Sequence, residues 1–287
     1  MLTPFIYERP ETFEEALKLA SVCDHRLING GTDCIIQIRA SKKAPRTLIS
    51  LKSIEEMKEI RLYEDTLYIG AGASLSSIQN HEAVQKACPA LAKAVSLVGS
   101  PLIRNLATLG GNVGTASPAG DGLTALIGEN ALAEIYSLQG KRSIPVRELV
   151  TGPKKTAVRA DEIIKGFSIP LGPKWSFSDF FKIGKRNALA ISVVNGTFKL
   201  RMDKGVAMDA CIVLGAVAPT PIHIHEAERL LINNRITDSV LDELGACVME
   251  HISPIDDIRA SGKYRKYMAG VKCVELARRA WEVCGND

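Results

Sequence analysis

Hydrophobic positions in the first part of this chain switch repeatedly between two periods. Phe13, Ala16, Leu17 and Ala20 fall at helical spacing, and Thr12 with Glu15 three residues on forms a capping box, so a helix is predicted over 13–22. Short apolar runs predict strands over 26–28, 47–51 and 67–71, with a helix over 33–40 between the first two. Ser74 and Pro89 each open a helix, the second running to Val98, and Asp121 opens another through about Glu129. Strands are predicted over 132–138, 140–145 and 162–169. Pro170-Leu171-Gly172-Pro173 is the strongest breaker cluster, and the domain boundary is placed there. Beyond it, 177–183, 190–201 and 206–216 alternate like antiparallel strands, with a hairpin turn at Asp203-Lys204-Gly205. Three helices follow, over 224–231, 238–249 and 263–284. The fold class expected is α+β, with one domain over residues 1–173 and a second over 174–287 whose antiparallel meander carries its helices on one face.

Two double-glycine segments interrupt this pattern: Leu27-Ile28-Asn29-Gly30-Gly31-Thr32-Asp33 and Ala107-Thr108-Leu109-Gly110-Gly111-Asn112-Val113. Glycine permits positive φ and close approach of the backbone to a ligand. Successive exposed N–H groups in such a loop form a nest for an anion. One such loop alone reads as a turn; two, each beside Thr or Asn donors, suggest one extended ligand with a diphosphate in its middle. Gly-x-x-x-x-Gly-Lys-Ser/Thr is absent from the sequence, and Gly70-Ala71-Gly72-Ala73-Ser74-Leu75 lacks the third glycine of a dinucleotide fingerprint. That segment reads as a strand-to-helix turn, which disfavours a Rossmann dehydrogenase.

Composition narrows the classes further. The 287 residues carry 36 basic and 32 acidic side chains, net +4 without a basic run, which does not argue for nucleic acid. The longest apolar runs are too short to span a bilayer, and the first residues lack the regions of a signal peptide, so a cytoplasmic protein is expected. Seven cysteines, at 23, 34, 88, 211, 247, 273 and 284, are scattered without a Cys-x-x-Cys. Disulfide frameworks, zinc sites and iron–sulfur clusters expect tighter grouping, so these read as buried reduced thiols. His223-Ile224-His225 alternates as metal ligands do, but no third ligand is evident, and the pair reads as part of a solvated loop after Pro219 and Pro221.

The segment Ile103-Arg104-Asn105-Leu106-Ala107-Thr108-Leu109-Gly110-Gly111-Asn112, with Ala116-Ser117-Pro118-Ala119-Gly120-Asp121 just after it, closely resembles the second flavin motif of the FAD-binding (medium) subunits of molybdenum hydroxylases, the xanthine, carbon monoxide and nicotinate dehydrogenase type. The first glycine loop resembles that family's Ala-Gly-Gly-Thr-Asp-Leu, with Asn29 and Cys34 replacing its ends. The resemblance runs from Phe5 to about Trp281 and implies a two-part FAD-binding domain of the PCMH type followed by the family's C-terminal domain. The cysteine-rich insertion of the benzoyl-CoA reductase type is absent from the sequence.

The resemblance also assigns residues. Arg26, Leu27, Ile28, Asn29, Gly30, Gly31, Thr32 and Asp33 line the cofactor. The N–H groups of Gly30, Gly31, Thr32, Gly110 and Gly111, with the Thr32, Thr108 and Asn112 side chains, serve the diphosphate, and Gly111 is expected at positive φ. Asp121 contacts the ribityl or diphosphate region, although by sequence alone it is the N-cap of the next helix. Lys182 lies at the flavin, beside its pyrimidine ring or the adjoining polar chain, where a cation would stabilise the anionic reduced form and raise its potential; its strand alone equally allows a solvent-facing side chain. Ile164 touches the flavin, and no metal ligand is assigned. Nothing in the chain groups cysteines for [2Fe–2S] centres or resembles a molybdopterin site, so both cofactors are expected on partners, an iron–sulfur subunit and a molybdopterin-binding subunit. The flavin would take electrons from the clusters and pass them to NAD⁺ or another acceptor. The alternatives are a stand-alone FAD oxidoreductase and a non-catalytic nucleotide-binding module.

Overall fold

The computed structural model describes residues 4–22, 24–40, 45–186 and 189–285; Cys23 and the first three residues lie outside them. The first half opens with β1 (Ile6–Glu8), α1 (Phe13–Val22), β2 (His25–Ile28), α2 (Cys34–Ala40) and β3 (Thr47–Ser50), whose strands form a parallel sheet in the order β1-β3-β2. A 3₁₀ turn at Glu55–Lys58 leads to β4 (Ile60–Leu62) and β5 (Thr66–Gly70). Six helices follow: α3 (Leu75–Asn80), α4 (Glu82–Ala87), α5 (Pro89–Ser96), α6 (Pro101–Leu106), α7 (Leu109–Gly114) and α8 (Asp121–Gly128). Then come β6 (Leu132–Ser137), β7 (Gly140–Pro145), α9 (Val146–Leu149), β8 (Val150–Gly152), β9 (Lys155–Thr156) and β10 (Ile163–Pro170). Strand β10 returns to the centre of an antiparallel sheet ordered β4-β5-β10-β6-β7.

The second half is an antiparallel sheet ordered β11-β12-β13-β14, built from β11 (Phe177–Ile183), β12 (Val194–Asp203), β13 (Val206–Gly215) and β14 (Ile222–His223). Helices α10 (His225–Leu231), α11 (Asp238–Glu250) and α12 (Gly262–Cys284) complete it. The turn between β12 and β13 puts Lys204 and Gly205 at φ 47° and 75°, the pair of positive values that a two-residue hairpin needs.

Local signals explain the elements that were expected. In α1 the Glu15 N–H donates to Thr12 Oγ1 at 3.2 Å and the Thr12 N–H to Glu15 Oε2 at 3.3 Å, closing the capping box. The apolar stripe Phe13, Ala16, Leu17 and Ala20 is its buried face. Ser74 caps α3 by accepting from the Ser77 N–H at 3.0 Å.

Four points differ from expectation. Strand β1 was not anticipated, and the predicted strand over 190–201 begins only at Val194 and runs on to Asp203. Asp121 is the first residue of α8 rather than its N-cap, a position taken by Gly120. The C-terminal sheet does carry α10–α12 on one face, but its other face is covered as well. Phe181, Ile212 and Leu214 join the core under those helices, whereas Phe180, Cys211 and Val213 join the core of the first half against α5 and α8. Val194–Leu200 is buried at every position, as in a strand covered on both sides. This packing sets the end of α8 and the strands β11 and β12 beside one another, and the candidate site forms there.

Candidate functional site

Strand β2 delivers the first glycine loop to a cavity of about 640 Å³, within the size range of ligand pockets. All fifteen residues expected at the cofactor line it: Arg26 to Asp33, Thr108, Gly110, Gly111, Asn112, Asp121, Ile164 and Lys182. Gly31 has φ +72°, a conformation most side chains avoid. At Gly30 the need is space: a Cβ there would lie 1.9 Å from the Leu106 carbonyl oxygen. The two glycine segments therefore touch backbone to backbone. Among the described residues, the N–H groups of Gly30, Gly31, Thr32 and Asp33 donate to no acceptor within the chain. Four unengaged donors in one turn that lines the cavity form a candidate anion nest.

The second glycine segment has a different role. It is the first turn of α7, and its N–H groups are already engaged. Leu109 donates to Ala73 O at 3.2 Å, Gly110 to Ala71 O at 2.8 Å, and Gly111 to the Thr108 hydroxyl at 3.1 Å. Thr108 is thus an N-cap, Gly111 has no positive φ, and the expected pair of nests reduces to one. Gly110 is required by packing, since a Cβ would meet Ala71 at 2.7 Å. The Asn112 side-chain oxygen accepts from the Leu123 N–H at 3.1 Å and so satisfies the start of α8. A link missed from sequence joins the segments: the Thr115 hydroxyl donates to Asp33 Oδ2 at 3.1 Å. Gln37 bonds both Asp33 and Arg26, which fixes the loop from behind.

Asp121 and Lys182 are one unit. The Asp121 carboxylate is buried and accepts from Lys182 Nζ, Ser192 Oγ and Asn195 Nδ2, each at 2.6 Å. Lys182 Nζ also donates to the Leu97 carbonyl at 2.9 Å. The lysine is therefore neither solvent-facing nor an unpaired cation: a carboxylate offsets its charge inside the cavity wall. Ser192 and Asn195 were not found from sequence, although a polar Asn in the run Val193-Val194-Asn195 is a signal for a buried partner. Arg104, the second basic residue near the loop, turns away to Gln79 and the carbonyls of Val98 and Gly99.

Much of the rest of the lining is apolar: Ile163 and Ile164, next to a bulge in β10 between Ile164 and Gly166, and Leu75, Val98, Ile103 and Ile191. A nest of free N–H groups beside an extended apolar wall fits a ligand carrying both a diphosphate and a flat apolar ring, as FAD does. Cys34 borders the nest, and burial pushes its thiol upward, away from the reactive thiolate. Glu162 also lines the cavity; Arg142 bonds both its oxygens, at 2.7 and 2.8 Å, and holds its carboxyl down at about 2.

Folded protein therefore binds fewer protons at Glu162 than unfolded protein does between about 2 and the ordinary 4.5. This contribution to stability is complete above that window and is lost as pH falls through it. Glu162→Gln is expected to destabilise the protein at neutral pH, with the gap to wild type narrowing as pH approaches about 2. Urea midpoints measured from neutral pH down into the acid range test this; a constant gap would remove Glu162 as its source.

Comparisons with known proteins give the family. A family model described as the FAD binding domain in molybdopterin dehydrogenase matches residues 3–172, and one described as the CO dehydrogenase flavoprotein C-terminal domain matches residues 179–282. The chain is 34% identical over 269 residues to the nicotinate dehydrogenase FAD-subunit of Eubacterium barkeri, covering 91% of each chain. It is 31% identical to the xanthine dehydrogenase FAD-binding subunit of Escherichia coli O157:H7, covering 98% of this chain and 97% of that one. The solved structure of reconstituted CO dehydrogenase from Oligotropha carboxidovorans superposes with a TM-score of 0.94 at 25% identity, over 99% of this chain and 100% of that chain.

Proposed function

We propose that this chain, which belongs to the family of FAD-binding subunits of molybdopterin dehydrogenases, holds one FAD in the cavity between its glycine segments and serves as the electron-transfer subunit of a molybdenum hydroxylase. The observation that carries the placement is the set of unengaged N–H groups at Gly30, Gly31, Thr32 and Asp33, in a cavity also lined by apolar side chains that include Ile164. The nest would receive the diphosphate. The second segment, with its donors engaged internally, would hold the wall in place while presenting little beyond backbone thickness. The Asp121–Lys182 unit would face the polar part of the ligand.

When bound, FAD supplies electron transfer between clusters on an iron–sulfur partner and an acceptor such as NAD⁺, with the molybdopterin cofactor on a further subunit. The chain's own task is to bind the flavin, orient it and set the charge around it. Among the described residues no helix is long and apolar enough to cross a membrane. The division of labour between residues 1–173 and 174–287 follows the breaker cluster at Pro170–Pro173: the first part carries the nest, and the second supplies Lys182, Ser192 and Asn195.

Attachment should be noncovalent, because no His or Cys stands beside either glycine segment in a recognised attachment pattern apart from Cys34, whose thiol burial pushes up. Acid precipitation of the yellow protein is expected to leave all flavin in the supernatant; colour retained in the pellet counts against this. The function itself is tested by reconstitution. The FAD-loaded chain should oxidise no purine, nicotinate or carbon monoxide alone, and it should complete turnover once iron–sulfur and molybdenum subunits are added. Substrate oxidation by the single chain free of molybdenum would overturn the subunit reading.

A further inference from the structure

The histidine alternation on the C-terminal sheet, left without a third ligand by the sequence, gains two in the fold. Strand β13 contributes Cys211, β14 contributes His223 and α10 contributes Glu228, and their donor atoms lie within 4.8 Å of one another. We propose that Cys211, His223 and Glu228 bind one divalent transition-metal ion of the zinc class, as a structural clamp between β13 and the β14–α10 corner.

The donor set suits such an ion. One sulfur, one imidazole nitrogen and one carboxylate oxygen are the ligand types zinc takes, leaving a fourth position for water or His225. Tetrahedral zinc needs its donors about 3.3–3.6 Å apart, so the site closes by about an ångström at its widest. Electrostatics agree: a thiolate, a carboxylate and a neutral imidazole cancel the charge of a divalent ion, which matters at a site with a buried Cys211 and a side chain of Glu228 only 11% exposed.

The histidine is prepared as well. His223 Nδ1 bonds Glu228 Oε1 at 3.2 Å, and His225 Nδ1 bonds Glu228 Oε2 at 2.7 Å. Glu228 Oε1 only accepts, here also from the Ile212 N–H at 2.8 Å, so without a metal the proton of this contact sits on His223 Nδ1; an ion shared with Glu228 is held by Nδ1, already 3.2 Å from Oε1, and the proton moves to Nε2. The Cys211 thiol points to the Gly128 carbonyl at 3.5 Å, and burial raises it to about 12, so binding must expel its proton to solvent. The inference is independent of the flavin.

The test uses the FAD-loaded chain stripped with a chelator, then titrated with ZnCl₂ and, separately, with CoCl₂. One equivalent of zinc should bind, with the melting temperature raised. Co²⁺ should give a thiolate-to-metal charge-transfer band. Cys211→Ser should abolish that band and weaken zinc binding at least 100-fold, and His223→Gln should weaken it similarly. Flavin content and circular dichroism confirm that each variant is folded. A misfolded Cys211→Ser would leave the wild-type Co²⁺ band as the deciding measurement, since its absence alone overturns the site. Zinc binding that survives Cys211→Ser but is lost in His225→Gln would mean a surface His–x–His chelate and would also overturn it, as would no stoichiometric binding to wild type.

Discussion

Gly30→Ala is expected to purify with less than about a tenth of the wild-type flavin and with stability lowered by about 1–3 kcal/mol or more. The added methyl group would sit 1.9 Å from the Leu106 carbonyl oxygen and 2.6 Å from its carbon, both main-chain atoms. Neither can retreat easily. The Ala107 N–H is bonded to Ile103 O at 2.7 Å, and the Ala107 carbonyl accepts from the Leu75 N–H at 2.9 Å. Arg104 in the same helix is held by Gln79 and the carbonyls of Val98 and Gly99. The first loop must move instead, and with it the four free N–H groups of the nest. Gly111→Ala is the matched control. Its Cβ would meet only the Thr108 hydroxyl at 3.1 Å, from a helical backbone, so flavin content should stay near wild type. Absorbance ratios of flavin to protein after purification, with thermal melts, decide between them. Near-full flavin in Gly30→Ala, or its loss in Gly111→Ala alone, would reverse the roles assigned to the two segments.

That contrast shows where sequence reading ends. Both glycine pairs look alike as strings, and both line the cavity, but only the fold shows that one presents free donors and the other is a helical turn docked on Ala71 and Ala73. The caps at Thr12 and Ser74, the hairpin at Lys204-Gly205 and the stripe of α1 were legible because their causes are local: a hydroxyl at the right offset, two positive φ values, a 3.6-residue period. The partners of Asp121 were not, because Lys182, Ser192 and Asn195 reach it only when β12 packs against α8 and β11 against α5, across 61 to 74 residues of chain. The same holds for Glu228 and Cys211 around His223. Burial of the second face of the C-terminal sheet was also hidden, since a meander with its own helices looks complete on its own. A run such as Val194–Leu200, with Asn, Thr and Lys buried among apolar residues, carries the trace of it: polar groups there need partners from another layer, as Lys199 finds in Glu129 at 2.8 Å.

The pairing of Lys182 with Asp121 reverses what a lone cation near the flavin would do. Read by itself, Lys182 favours the anionic reduced flavin, and removing it should lower the potential. Paired at 2.6 Å with a buried carboxylate, it presents little net charge to the cavity. The variant that exposes the charge is therefore Asp121→Asn, which keeps the shape and loses the offset. On the proposed placement of the flavin beside Lys182, a unit charge at about 4 Å with an effective dielectric near 20 contributes about 4 kcal/mol. For a two-electron couple that is a ceiling of about 90 mV, and solvent in the open cavity reduces it to some tens of millivolts. Asp121→Asn should thus raise the flavin midpoint by that amount. Lys182→Met should act chiefly on stability, because it leaves the Asp121 carboxylate buried with only Ser192 and Asn195 as donors. Breaking one side of a buried pair costs about 3–5 kcal/mol. The double variant removes the stranded charge and should recover much of that loss, which a double-mutant cycle measures directly. Spectroelectrochemical titration of the flavin and urea unfolding of all four proteins supply both readouts. An unchanged midpoint in Asp121→Asn at full FAD occupancy would mean the Lys182 ammonium does not face the ring. A double variant no more stable than Lys182→Met would mean the two side chains are not energetically coupled.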